Sequence, residues 1–296
     1  MKDTTASVAS GSLQDGSESQ HPPADGHQAG APSRGTIIFV HGAGHGAWCW
    51  NEHFSSWFAE RGFTVIAHDL PGHGDHDRSG LMRIPLNTYV AALAEWAAGA
   101  TRPIILIGHS MGGFVVQKYL ETNQADVAIL LASLPPTGAR GMVRRMVTRR
   151  PLAFLHTMLT SEATKNSAVT RDYFFSRETS REVIDSVHRR LQPESRQVLQ
   201  DMMRALKPER VKSPVVVIGA ENDWLVAPGP DLSATARAFG TLPRTLPGGH
   251  DMMLDFAWQQ VAAEVDAAIL THATQLPPER AMPRAVPLVH GAVSVS

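Results

Sequence analysis

The chain has a single cysteine, a formal net charge of −1 and no long apolar run. One cysteine, Cys49, excludes an intramolecular disulfide and a zinc site built from paired cysteines. It lies between Trp48 and Trp50, so we expect a small buried residue rather than a reactive thiol. A charge near zero provides no basic surface for DNA or RNA. We therefore expect no nucleic-acid partner.

No stretch is apolar for long enough to span a bilayer, and residues 1–34 contain no apolar core of a signal peptide. That segment is rich in Ser, Gly, Asp, Gln and Pro, which predicts disorder. Residues 271–296 carry several prolines and are expected to form a flexible tail. Together these features predict a soluble, cytoplasmic protein. The sequence leaves the oligomeric state open, and a homodimer is compatible with it.

Short apolar runs alternate with segments of helical periodicity. The runs are almost continuously apolar, which is typical of parallel strands covered by helices on both faces. They lie at residues 36–40, 64–67, 104–107, 127–131 and 215–218. Helical spacing of apolar residues is found at 51–61, 88–98, 112–122, 231–239 and 254–270. The alternation predicts an α/β protein with a doubly wound, mostly parallel sheet, its core formed by residues 35–133 and 207–270.

Residues 134–206 lack strand-like runs, and we predict a helical insertion there. It follows the carboxyl end of a strand, where ligand crevices open in such sheets, so it would form a lid. Its larger apolar residues would either line a pocket for apolar groups or fill the core of the lid itself. They are Met142, Met146, Phe154, Met158, Leu159, Phe174, Phe175, Met202 and Met203. The basic run at 140–150 is expected to be a solvated helix face, with an anionic membrane or substrate as the alternative.

A serine bracketed by glycines follows the third apolar run. In Gly108-His-Ser-Met-Gly112, Ser110 stands between a predicted strand and a predicted helix. Glycines at these positions remove side chains that would collide in a sharp strand-to-helix turn. The pattern is common by chance, but the flanking strand and helix make it informative. Ser110 is the predicted nucleophile.

A serine nucleophile needs a base and an acid, and the chain supplies both in the order Ser, Asp, His. Asp223 follows the strand at 215–218 and is the predicted acid, with Glu221 as the rival in the same loop. His250 follows Gly248 and Gly249 directly before the last helix and is the predicted base.

Acyl transfer through such a serine develops negative charge on the former carbonyl oxygen, which backbone N–H groups can stabilise. The N–H of Met111, at the start of a helix, is one expected donor. The other is the N–H of Ala43, in the glycine-rich turn His41-Gly-Ala-Gly-His-Gly46.

The chain contains 14 histidines, so most of them have other roles. We expect His109 to pack or form local hydrogen bonds beside Ser110, and His68 and His73 to stabilise a loop. Four histidines fall in two separate glycine-rich turns without helical spacing or a carboxylate in register, which argues against a metal site. They are His41, His45, His73 and His76. The predicted chemistry needs neither a metal nor a cofactor.

These residues together resemble the α/β-hydrolase superfamily, from Gly35 to about Leu270. The run from Val40 to Trp50 is especially similar to the branch of plant methylesterases and hydroxynitrile lyases, together with bacterial esterases. The resemblance assigns the catalytic triad to the serine, aspartate and histidine named above, and an oxyanion donor to Ala43. Lyases of the branch carry threonine where this chain has Gly42, and lysine where it has Asp251. Both departures favour ester hydrolysis.

The sequence thus predicts a serine hydrolase for small to medium carboxylic esters, acting on a small-molecule ester substrate through an acyl-enzyme. A hydroxynitrile or carbon–carbon lyase on the same residues is the first alternative. A binding protein that retains ligand without turnover is the second. The scaffold hosts many reactions, so the fold alone does not choose between them.

Overall fold

The computed structural model describes residues 33–273. The two expected flexible ends, residues 1–34 and 271–296, lie outside this range except at their inner ends. Among the described helices, none combines the length and the apolarity that crossing a bilayer would need.

Six parallel strands form one sheet in the order β2-β1-β3-β4-β5-β6. They are β1 (Thr36–Val40), β2 (Thr64–Ala67), β3 (Ile104–His109), β4 (Val127–Leu131), β5 (Val215–Ala220) and β6 (Pro243–Leu246). The first five match the predicted strands, and the predicted α/β fold is confirmed. The sixth was not predicted. It is a short edge strand, Pro-Arg-Thr-Leu, in which only Leu246 is buried, so it carries no apolar run.

Helices cover both faces of the sheet. They are α1 (Trp48–Asn51), α2 (Phe54–Ala59), α3 (Leu86–Ala98), α4 (Met111–Leu120), α5 (Arg140–Arg149), α6 (Pro151–Thr160), α7 (Ser167–Phe174), α8 (Arg181–Arg190), α9 (Arg196–Asp201), α10 (Ser233–Ala238) and α11 (Trp258–Ala273). The helix predicted at 51–61 is divided into α1 and α2, because the backbone of His53 (φ −142°, ψ −53°) is not helical.

Alternate residues of β1 point into two separate apolar cores, as a doubly wound sheet requires. Ile37 and Phe39 pack in the core that contains Cys49 and residues of α2 and α11. Ile38 and Val40 pack in the core beneath α3 and α4. Cys49 is fully buried and unpaired, in agreement with the prediction.

Five helices, α5 to α9, occupy the chain between β4 and β5, where the sequence predicts a lid. The extended structure found there is one isolated antiparallel bridge, Glu162 with Pro193. The inner faces of α5 and α6 join the sheet core through Met146 and Ala153. This helical segment therefore packs onto the rest of the chain beyond the carboxyl ends of the strands.

Candidate active site

Ser110 occupies the turn between β3 and α4, with backbone angles of φ 51° and ψ −116°. A positive φ is unusual for a residue with a side chain, and such strain concentrates at functional sites. Both flanking glycines are required by close packing. A Cβ on Gly108 would lie 2.6 Å from the carbonyl oxygen of Gly112, and one on Gly112 would collide with the carbonyl oxygen of Val40.

Ser110, His250 and Asp223 form one chain of hydrogen bonds. The Oγ of Ser110 lies 2.9 Å from Nε2 of His250, and Nδ1 of His250 lies 2.7 Å from Oδ2 of Asp223. All three side chains are buried. Since the carboxylate accepts the Nδ1 proton, Nε2 of a neutral His250 is free to accept the proton of Ser110.

The second oxygen of Asp223 is occupied by the backbone of its own loop. Oδ1 accepts hydrogen bonds from the N–H groups of Leu225 (2.9 Å) and Val226 (3.0 Å), so the carboxylate is fixed in orientation. Glu221, the rival acid, is exposed to solvent. The structure thus brings Asp223, and not Glu221, to His250.

Two opposing effects set the basicity of His250. Burial lowers the pKa of His250, but the carboxylate of Asp223 more than offsets this, and the net pKa lies above its ordinary value of 6.5. Asp251, the next residue along the chain, raises the pKa of His250 further by its charge. The imidazolium that would form on proton transfer is therefore stabilised by two carboxylates.

The turn after β1 passes directly against Ser110. A Cβ on Gly42 would lie 3.3 Å from Cβ of Ser110 and 2.8 Å from Nδ1 of His109, so a side chain here would displace one of these residues. The N–H of Ala43 has no acceptor in the described range, residues 33–273. The N–H of Met111 stands at the first turn of α4. Both expected donors thus lie near Ser110, around the same cavity.

A second histidine–carboxylate pair lies behind this turn. Nε2 of His45 is 2.9 Å from Oδ2 of Asp251, and Nδ1 of His45 is 3.0 Å from the carbonyl oxygen of Ala43. Although burial raises the pKa of Asp251, His45 and neighbouring histidines lower it more, and the net pKa falls below 3.8. His45 thus joins the loop of Asp251 to the turn that carries Ala43.

Glu194 fixes the same turn from the helical segment. One oxygen of Glu194 accepts the N–H of Gly44 (3.3 Å) and contacts His73 (3.1 Å), and the other accepts the hydroxyl of Tyr89 (2.8 Å). Burial lowers the pKa of His73, but Glu194 outweighs this and the net pKa is raised. The sequence interpretation missed Glu194, which shows no motif, and gave no role to His45.

His109 packs beside Ser110 as expected, against the rings of His45 and His250, although its hydrogen bond is not local. Its Nε2 donates to the carbonyl oxygen of His250 at 3.0 Å, across 141 positions of the chain. Burial lowers the pKa of His109 to about 3, so the ring is neutral. His109, His250 and Asp251 offer ligand atoms within 4.8 Å of one another, a spacing that a metal ion could span. Both nitrogens of His250 are already hydrogen-bonded to Ser110 and Asp223, so this cluster is better described as a hydrogen-bonded support.

A cavity of about 530 Å³ opens above Ser110 and His250. The helical segment provides most of its apolar wall, which includes Met142, Met146, Phe154, Met158, Phe174, Met202 and Met203. Two residues expected in this wall are elsewhere. Phe175 is buried in the core of the protein, and Leu159 is 68% exposed because it lies on the outer side of α6.

The sequence was compared with family models and known proteins. A model described as the alpha/beta hydrolase family matches residues 37–264, most of the chain. The chain belongs to the alpha/beta hydrolase family. The resemblance inferred from the motifs is confirmed, and the sheet order and the position of Ser110 at its edge are those of an alpha/beta hydrolase fold.

Curated relatives match the hydrolase over part of its length. Norfluorocurarine synthase 1 from Strychnos is 34% identical over 104 residues, which cover 34% of this chain and 39% of the relative. The probable esterase PIR7A of rice is 31% identical over 110 residues, covering 36% of this chain and 41% of the relative. The chain thus spans about two fifths of the length of these relatives.

Solved structures resemble the fold of this chain over a larger share of its length. The methylesterase MES16 from Arabidopsis superposes with a TM-score of 0.62 at 22% identity, covering 80% of this chain and 99% of that one. At this identity the superposition shows a common fold for the hydrolase and the methylesterase.

Proposed function

We propose that this alpha/beta hydrolase is a serine esterase that cleaves carboxylic esters of small to medium apolar substrates. The observation that carries the proposal is the hydrogen-bond chain Asp223–His250–Ser110, at the strained turn after β3 and facing an apolar cavity. The esterases and methylesterases among its relatives support it.

His250 would act as the general base in the first step. It accepts the proton of Ser110 at Nε2 while Ser110 Oγ attacks the ester carbonyl carbon. Asp223 holds the Nδ1 proton and stabilises the resulting imidazolium. The proton then passes from Nε2 to the departing alcohol oxygen, which leaves the acyl group on Ser110.

The N–H groups of Ala43 and Met111 would stabilise the oxyanion of each tetrahedral intermediate, at about 3 kcal/mol per donor. In the second step a water molecule attacks the acyl carbon and gives its proton to His250. The carboxylic acid leaves as the proton returns to Ser110.

The helical segment, α5 to α9, would act as the lid that selects substrates. Its methionines and Phe154 line the cavity above Ser110, and flexible thioether side chains adapt to ligands of different shape. The volume of about 530 Å³ fits a small or medium apolar group beside the reacting carbonyl.

The test is hydrolysis of p-nitrophenyl esters of increasing acyl length by wild type, Ser110→Ala and the exposed-site control Ser56→Ala. We expect release of p-nitrophenol by wild type and the control, and loss of release by Ser110→Ala. Mandelonitrile is assayed alongside, because a lyase on the same residues would release benzaldehyde instead. Gly42 is tightly packed where the lyases of the resembled branch carry threonine, and Asp251 stands where they carry lysine. Both residues disfavour the release of benzaldehyde. Equal turnover by Ser110→Ala would contradict the proposal.

A further inference from the structure

The outer side of α6 is an exposed apolar surface. Leu152, Leu155 and Leu159 recur at spacings of three and four residues and are 74%, 52% and 68% exposed. Met158 beside them is 43% exposed. We name these four side chains the α6 patch. Large apolar side chains clustered in solvent, rather than scattered singly, mark an interaction site.

The inner side of the same helix is apolar as well. Ala153 is buried, and Phe154 lines the cavity above Ser110. A helix that is apolar on both sides normally has apolar material against both of them. The inner side of α6 meets the protein, whereas its outer side meets solvent in the part of the chain that the structure describes.

The charged side chains between residues 140 and 160 have one sign. Residues 140–160, which form α5 and α6, contain five arginines and no Asp or Glu, although the whole chain has a net charge of −1. Arg145 pairs with Asp231 and Arg150 pairs with Asp172. Within residues 33–273, Arg144 and Arg149 have no carboxylate partner.

Arg196 adds a further cation at the edge of the patch. Its guanidinium donates to the carbonyl oxygen of Leu159 at 2.8 Å and to Oγ of Ser161 at 3.0 Å, and it has no acidic partner in the described range. The neighbouring carboxylate of Glu162 contacts His156 at 3.2 Å. Cations thus flank an apolar helix face, which is the arrangement that complements an anionic lipid surface.

We propose that the α6 patch docks this protein onto an anionic lipid surface, with the leucines in the interfacial layer and the arginines on the lipid headgroups. Arg144 and Arg149 have long side chains that reach phosphate while their stems stay near the apolar layer. A second copy of the chain would supply the same cations and oppose them, so charge favours lipid over self-association.

The patch also reaches the cavity. Met158 is part of the exposed surface and lines the cavity above Ser110 as well. An apolar ester dissolved in the lipid would therefore reach the nucleophile past Met158 without crossing water. This last step rests on the proposed esterase function, whereas the docking itself does not.

The test is co-sedimentation of the full chain with vesicles. Vesicles of phosphatidylcholine alone are compared with vesicles in which about one third of the lipid is phosphatidylglycerol. We expect binding to the anionic vesicles that weakens as salt is added. Leu155→Gln combined with Leu159→Gln should lower the partition coefficient about tenfold or more, since two interfacial side chains are lost. Leu242→Gln, at an 84% exposed leucine outside the patch, is the matched control and should bind as wild type does.

Arg144→Gln with Arg149→Gln should weaken binding to anionic vesicles and remove most of the salt dependence, whereas the control Arg237→Gln should not. No binding by wild type, equal binding to neutral vesicles, or unchanged binding by the leucine variant would each overturn the proposal. A wild-type dimer in sedimentation velocity that becomes a monomer in the leucine variant, but not in the Leu242→Gln control, would also overturn it, because the patch would then bind a second copy of the chain. Ser110→Ala should still bind vesicles, and the leucine variant should still hydrolyse a soluble short ester, so docking and catalysis fail separately.

Discussion

His45 and Asp251 form a buried contact of 2.9 Å between the turn that carries Ala43 and the loop that carries His250. The two residues are 206 positions apart, and neither is exposed by more than 1%. Nδ1 of His45 also lies 3.0 Å from the carbonyl oxygen of Ala43, so one side chain joins the turn of a proposed oxyanion donor to the neighbour of the proposed base. This pair holds the two halves of the site in register.

Asp251→Asn should destabilise the fold by about 3 kcal/mol at neutral pH, because it breaks the buried contact between the Asp251 carboxylate and His45. The folded-state pKa of Asp251 is depressed, so its stabilising effect is present above its ordinary pKa of 3.8 and is lost as pH falls through the lower folded value. Urea unfolding at neutral and at acid pH measures this. A difference between wild type and variant that does not shrink with acid would contradict the stabilising role of the ionised Asp251.

The same substitution should move the pH dependence of catalysis. His250 acts as a base only when neutral, so kcat/KM falls as pH drops through its pKa. That pKa is raised above 6.5, and Asp251 contributes to the increase. We expect kcat/KM of wild type to fall on the acid side with a midpoint above pH 6.5, and kcat/KM of Asp251→Asn to fall with a midpoint at lower pH. A midpoint below 6.5 in wild type, or no shift in the variant, would argue against the assigned electrostatics.

Asp223→Asn should lower kcat about 10⁴-fold, because an amide at this position favours the wrong tautomer of His250. Glu221→Gln is the matched control, since Glu221 lies in the same loop but is exposed. The control should retain wild-type kcat, and circular dichroism should show both variants folded. Loss of activity in Glu221→Gln together with an active Asp223→Asn would reverse the assignment of the acid.

Gly42→Thr, which introduces the residue that related lyases carry, should lower esterase kcat about 100-fold by displacing Ser110 or His109. Its Cβ would lie 2.8 Å from Nδ1 of His109 and 3.3 Å from Cβ of Ser110. Gly229→Ala is the control, because a Cβ there meets nothing within 4 Å. Full esterase activity in the threonine variant would contradict this prediction, because it would show that the turn accommodates a side chain without displacing Ser110 or His109.

Much of the fold was accessible from the sequence because its signals are local. Five strands are recognisable as apolar runs, and the glycines that flank Ser110 indicate a turn too tight for side chains at their positions. Strand β6 gave no such signal, since an edge strand with exposed Arg244 and Thr245 needs no continuous apolar run. The order of Ser110, Asp223 and His250 along the chain predicted contacts that the structure then placed at hydrogen-bonding distance.

The supporting contacts could not be predicted, because they join residues far apart in sequence without a pattern. Asp251 is adjacent to His250, yet its partner His45 lies in a different loop. Glu194 reaches Gly44 from the helical segment. Leu159 shares the helical periodicity of the cavity residues but faces solvent. Helix α6 is apolar on two faces, and periodicity alone does not show which of them is buried.

The most direct measurement is covalent labelling with an organophosphonate ester, followed by peptide mass spectrometry. The account predicts a single phosphonyl adduct on Ser110, formed quickly by wild type, absent from Ser110→Ala and slowed in Asp223→Asn. Labelling of another residue, or equal labelling of Ser110→Ala, would contradict the assignment of Ser110 as the nucleophile.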